Sequence, residues 1–280
     1  EGTWMPDNKA LSGTLSIPAN TTLKIEGSFD ASNGVISAYS SSGLVVEEKF
    51  SAPKTANLNY NVTAKTMSVD AATTSISGDL TITEKLWFSG NTTIEAESTV
   101  EVTGELDGNK TVTIEGTLIV NGNMKENAIV FSDESLYVTG IMSGKLTLGG
   151  EESSQVGYAE IGTMNGDIVL VNGTMTVTEK LNSQRITVDS SVVEATLVLE
   201  AGVTVSDEAA ENFAGNIAGD ALAGNSFTVT DKEDELTADG GALALDFLSE
   251  AAGYTLNSYE DEHVFANYTV SGNTVTVTVS

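Results

Sequence analysis

The sequence predicts a mainly β protein with a solenoid-like body of stacked short strands and a C-terminal α+β cap. Three observations carry this. Thr and Val recur in short alternating runs bounded by Asn, Asp and Gly, a pattern of strands and turns. Apolar triplets return at a step of about 17 to 20 residues. The character then changes near residue 206, where Ala, Glu and Asp gather. The alternative is a set of antiparallel β-sandwich domains, whose strands also recur at short intervals with turns between them. The fixed step favours the solenoid.

In chain order, Trp4 and Met5 precede the first regular strand and read as an apolar arm docking on a neighbouring molecule. Residues 1–69 form an N-terminal β region, with strands expected at LSI and LKI around a turn at Pro18–Asn20. Residues 70–205 form the repetitive body. One series of triplets begins at Ile94, Val112, Ile129 and Leu146, a second at Leu80, Val100, Leu118 and Leu136, and a third at Ile168, Ile186 and Val203. The first two are offset by about six positions. Glycine-centred turns separate them at 89–91, 103–105, 115–117, 121–123, 143–145 and 165–167. TITEKL at 81–86 and TVTEKL at 176–181 are near-copies.

Residues 206–280 form the cap. Ser206 N-caps a weak helix over 207–222, and 241–253 reads as a better one, with Leu243, Phe247 and Ala251 on one face and Gly253 at its end. Gly272-Asn273 is a two-residue hairpin signal. Folding about it pairs Val270 with Val275, Tyr268 with Val277 and Ala266 with Val279, and Thr269 with Thr276 and Asn267 with Thr278 on the other face. From Val264 to Ser280 there is no charge and no Pro to guard an edge. Val270, Val275, Val277 and Val279 are therefore candidate assembly residues.

Composition narrows the chemistry. Forty acidic residues against twelve basic ones give a formal charge of −28, which repels phosphate backbones and anionic lipid. There is no Cys, so neither disulfides nor thiolate chemistry enter. No apolar run is long enough to span a bilayer. The chain starts at Glu1, as expected of a processed product or a fragment.

No nucleophile elbow, P-loop, dinucleotide fingerprint or zincin motif occurs. The single histidine, His263, sits in an acidic turn, and Arg185 is the single arginine, so the expectation is no enzyme. Two acidic stretches offer hard oxygen ligands of the kind Ca²⁺ takes: Asp231, Glu233, Asp234 and Asp239 in one, Glu260, Asp261 and Glu262 in the other. Six Asn-x-Ser/Thr acceptors occur at Asn20, Asn61, Asn91, Asn109, Asn172 and Asn267, about as many as composition alone predicts. For a glycan-binding surface the available aromatics include Trp4, Trp87, Tyr39, Tyr60, Tyr137 and Tyr158; Tyr137 and Tyr158 lie about one coil apart.

Taken over its whole length, this acidic, cysteine-free, Thr/Asn/Gly-rich chain resembles the envelope proteins of prokaryotes, particularly archaeal surface-layer and sheath proteins. The resemblance implies an extracellular location and self-assembly into a lattice, hoops or fibres, often glycosylated and sometimes held by Ca²⁺. The missing Cys departs from sheaths cross-linked by disulfides. The expected function is a self-assembling structural subunit joined by β-edge addition and face packing. The alternative is a secreted carbohydrate-binding module or adhesin.

Overall fold

The computed structural model describes residues 2–4, 10–54, 57–131, 136–150, 152, 154–183, 185–188, 195–199, 203–206, 226–231, 265–271 and 274–279. They form strands only, arranged as a β-solenoid. The chain divides into two units, Glu1–Ala128 and Ile129–Ser280.

Among the described residues of the first unit the strands pair in parallel. Parallel neighbours cannot be joined by a hairpin, so the chain must go round once between one strand and the next. The register shows that circuit directly. Leu23 pairs with Leu44, Leu44 with Val62, Val62 with Leu80, Leu80 with Val100 and Val100 with Leu118, so that each partner lies one coil further along the chain. These pairings replace the antiparallel sandwich alternative and carry the coil pattern down through residues 22–69. The second predicted series is correct at Leu80, Val100 and Leu118.

Each coil has two straight runs joined by a corner, then a third run. Leu80–Phe88 contains the first two, with a register shift between Ile82 and Lys85. Asn91–Ile94 is the third, in a ladder with Asn57–Leu58, Thr73–Ile76 and Thr111–Ile114. Here the first predicted series needs correction. Ile94 pairs with Ile114, and Val112 pairs with Thr92, an inward threonine only 2% exposed. The inward positions on this strand are Thr92 and Ile94, so a series begun at Ile94 starts two positions late. Ile129 is displaced too: Ala128 and Val130 are buried, and Ile129 points outward.

Alternation puts every second side chain inside, where like stacks on like between coils. One column runs Ile25, Val46, Ala64, Ile82, Val102 and Val120. Another runs Phe29, Phe50, Met67, Leu86, Leu106 and Met124, with the Phe29 and Phe50 rings stacked at 5.9 Å. The predicted glycine turns sit where coils touch backbone to backbone. A Cβ on Gly104 would run into the Glu84 carbonyl, and one on Gly122 into the Gly104 carbonyl. Other turns use carboxamides and carboxylates as ties between coils. Asn61 Oδ1 accepts from the Asp79 amide at 2.9 Å, and Asp79 Oδ1 from the Thr99 amide at 3.0 Å.

The second unit is built in the same way, with longer excursions. Leu136–Met142, Gly157–Met164, Gly173–Leu181 and Ala195–Leu199 form one parallel ladder. Leu146–Leu148, Ile168–Leu170 and Ile186–Val188 form another. Ile168 pairs with Ile186 as expected, whereas Val203 lies outside that ladder: the next residues, Thr204–Val205, pair with Lys180–Leu181. TITEKL and TVTEKL fall on the same feature, the corner where register shifts.

The ladder then changes sense. Ser226–Asp231 is parallel to Ala195–Leu199, but Thr274–Val279 is antiparallel to Ser226–Asp231, and Phe265–Ser271 is antiparallel to Thr274–Val279. The predicted hairpin register is present from Ser271–Thr274 to Asn267–Thr278. One pair is corrected: Phe265, not Ala266, meets Val279, because the register shifts between Phe265 and Asn267. The helices expected over 207–222 and 241–253 lie outside the described residues.

Candidate functional site

Three places combine exposure, charge or unpaired backbone. The first is the strand edge in the second unit. Thr274–Val279 has strands on both sides, so the alternating tail is an inner strand. The outer strand is Phe265–Ser271, bonded to Thr274–Val279 on one side. Among the described residues no strand pairs along its other side. In a two-residue hairpin the closing pair, Ser271–Thr274, exchanges hydrogen bonds, and such pairs alternate along the ladder. The amides of Val270 and Tyr268 therefore point away from Thr274–Val279. Trp4, expected in a docking arm, belongs to a strand Gly2–Trp4 parallel to Thr22–Ile25 of its own chain. Met5 lies outside the described residues.

The second place is an outer face of the first unit, at the run following the corner. Lys49, Thr66 and Lys85 lie in register on adjacent coils, as do Ser51, Ser68 and Trp87. Glu105 and Asp107 follow on the next coil beside Lys85 and Trp87. Trp87 alternates with buried Leu86 and Phe88, so its indole stands half-exposed on the outside. Lys85 Nζ donates to Asp107 Oδ2 at 2.7 Å and to Glu105 Oε2 at 3.0 Å, and Lys125 closes the network on Glu105 and, at 3.7 Å, Asp107. Lys125 and Lys85 hold Glu105 below the usual carboxylate range, and Lys85 does the same for Asp107. Lys49 takes part in no ion pair among the described residues. Between Lys49 and Trp87 lies an open depression of about 460 Å³, floored by Thr66, Met67 and Ser68.

The third is inside that unit. Glu126 is fully buried in the inward column that holds Val69 and Phe88. Its Oε2 accepts from the Lys110 amide, while Oε1 is buried without a partner. The position is open because Gly108 lies beneath it; a Cβ there would meet both the Phe88 carbonyl and Glu126 Oε1. Burial pushes the Glu126 carboxyl up, with the nearby Asp107 charge adding to it and the Lys110 amide opposing it.

The other predicted residues separate. Asn20, Asn61, Asn91 and Asn109 are exposed. Asn172 is corrected as a glycan acceptor: it is 1% exposed, with its side-chain nitrogen buried, leaving no room for a sugar in the folded chain. Asn267 sits on the outer strand of the hairpin. Asp231 ends the strand Ser226–Asp231. Glu233, Asp234, Asp239, Glu260, Asp261, Glu262 and His263 lie outside the described residues. Among the described residues no three acidic or imidazole groups converge as a metal site. No helix among them is long and apolar enough to cross a membrane.

Of the aromatics, Tyr60 is buried and Tyr39 is 63% exposed. The Tyr137 and Tyr158 rings lie 5.9 Å apart, beside a smaller depression lined by Tyr137, Glu160 and Glu179. Lys49 and Glu126 were not singled out from sequence. The signal for Lys49 was available: Val46-Glu47-Glu48-Lys49-Phe50 follows the corner pattern of Ile82-Thr83-Glu84-Lys85-Leu86. No protein-family model, curated protein or solved structure matches the chain.

Proposed function

We propose that this chain is a non-catalytic structural subunit of an extracellular layer, sheath or filament, whose copies join by strand addition at the Phe265–Ser271 edge. The observation that carries this reading is that edge itself. It has backbone amides directed outward and no Lys, Pro or acidic residue along it. Protein edges left open without such guards pair readily with another strand. The partner is a second copy of the chain. Its strand gains hydrogen bonds of the kind that already join the hairpin. Exposed acceptors at Asn20, Asn61, Asn91 and Asn109 suit a glycosylated surface. Ca²⁺ held by the acidic stretches 231–235 and 259–262 offsets repulsion between copies of this strongly acidic chain.

Val270→Pro tests this reading. It removes an outward amide while sparing the bonds to Thr274–Val279, because proline is tolerated where the lost N–H faces off the sheet. Negative-stain microscopy and sedimentation velocity, with and without millimolar Ca²⁺, are expected to show ordered polymers of the wild type. The Val270→Pro chain is expected to remain monomeric with an unchanged circular dichroism spectrum. A wild-type chain that stays monomeric in every condition would remove the reading, as would polymers that survive the substitution.

A further inference from the structure

We propose that the depression beside Trp87 binds a short saccharide carrying one carboxylate, with a pyranose ring stacked on the indole and the carboxylate on the Lys49 ammonium. This site is independent of whether copies of the chain assemble. Its geometry follows from the coil register. Lys49 and Trp87 stand two strands apart and two positions apart along them, so the diagonal between their backbones is about 12 Å. That width takes one sugar ring. The floor between them carries the hydroxyl residues Thr66 and Ser68, whose side chains both donate and accept. On that side the neighbours of Trp87 in its own column are Ser68 and Ser51, both small, so no bulky side chain occupies the space beside the indole. A half-exposed indole at the wall of a polar-floored depression suits a ligand with one apolar and one hydroxylated aspect. A pyranose has both.

Charge selects the kind of sugar. Lys85 is already engaged by Glu105 and Asp107, so its charge is spent within the protein. Lys49 is exposed and has no ion pair among the described residues. No acidic side chain lines the depression, in a chain with 40 acids and 12 basic residues. A single ligand carboxylate therefore finds a single matching cation. A long polyanion, nucleic acid included, meets the repulsion of the −28 chain instead, which limits the ligand to one or a few charges.

The test is fluorescence titration of the full chain carrying Trp4→Phe, so that emission comes from Trp87, the second of its two tryptophans. The probes are cellobiouronic acid and cellobiose, which differ by a carboxylate in place of a hydroxymethyl group. Cellobiouronic acid is expected to give a saturable change and to bind about tenfold tighter than cellobiose, the scale of one charge-assisted hydrogen bond. Lys49→Met is expected to abolish that preference without moving the thermal midpoint. No saturable change with either sugar overturns the proposal. So does equal binding of the two, or a preference that persists in Lys49→Met.

Discussion

Glu126 shows how one residue can change the electrostatics of a core. The inward column at its position is otherwise apolar at Val69 and Phe88, and the carboxylate fits because Gly108 below it has no side chain. One oxygen is satisfied by the Lys110 amide and the other is not. An unsatisfied buried acceptor costs about 1–3 kcal/mol. With the folded-state value raised, the native state holds its proton over a range where the unfolded chain has released it. This contribution is complete below the ordinary Glu value, about 4.3, and is lost as pH rises through the higher folded value. The charged neighbours act in opposite senses: Asp107 raises the value and Lys110 lowers it. Glu126→Gln is expected to gain about 1 kcal/mol over wild type at pH 7 and almost nothing at pH 4, read from urea unfolding at both values. A gain independent of pH would mean that the carboxylate is not the source. Nothing in the sequence marked this residue. Lys-Glu-Asn at 125–127 reads as a polar turn, and Asp-Gly-Asn at 107–109 as another; only the register superimposes the glycine on the acid.

At the scale of the coil, legibility followed the side chains whose burial matches their chemistry. Leu80, Val100 and Leu118 stack as the triplets implied, because alternation and glycine turns fix their phase. The ladder at Ile94 was displaced because buried Thr92 looks like a surface residue. The hairpin was readable nearly to the pair, since a two-residue turn determines every register position beyond it; the shift at Phe265–Asn267 had no local signal. If coils are interchangeable units, a whole one can be removed. Deleting the segment 62–79, one complete coil, brings Leu80 into the place of Val62 on Leu44 and keeps every inward position inward. Deleting 62–78, which stops a single position short of the complete coil, turns the following strand inside out. The first variant is expected to melt cooperatively with a β spectrum, and the second to lose ordered structure in the first unit. Equal behaviour of the two, measured by circular dichroism and thermal melting, would contradict stacking in register.

At the scale of the whole molecule, several of the few basic residues tie one coil to the next. Lys24 reaches Glu47 at 2.7 Å, Lys65 reaches Glu48 at 3.3 Å and Glu84 at 3.7 Å, and Lys85 and Lys125 meet Glu105 and Asp107. Exposed pairs of this kind contribute little and weaken in salt. Against them stands the mutual repulsion of a chain with formal charge −28. Screening relieves both, and the excess of acids makes repulsion the larger effect. The thermal midpoint is therefore expected to rise between about 0.01 M and 0.1 M NaCl, as the screening length falls from about 30 to 10 Å. A falling midpoint would assign the greater weight to the lysine ties.

The parallel ladders of the first unit also have a mechanical consequence. Their hydrogen bonds run from coil to coil, so tension along the stacking direction pulls on them lengthwise. Within one interface the runs share the load side by side; successive interfaces carry it one after another. The breaking force is then that of the weakest interface, and a ruptured coil releases its own length of chain as slack before the next is loaded. Such a body yields in steps.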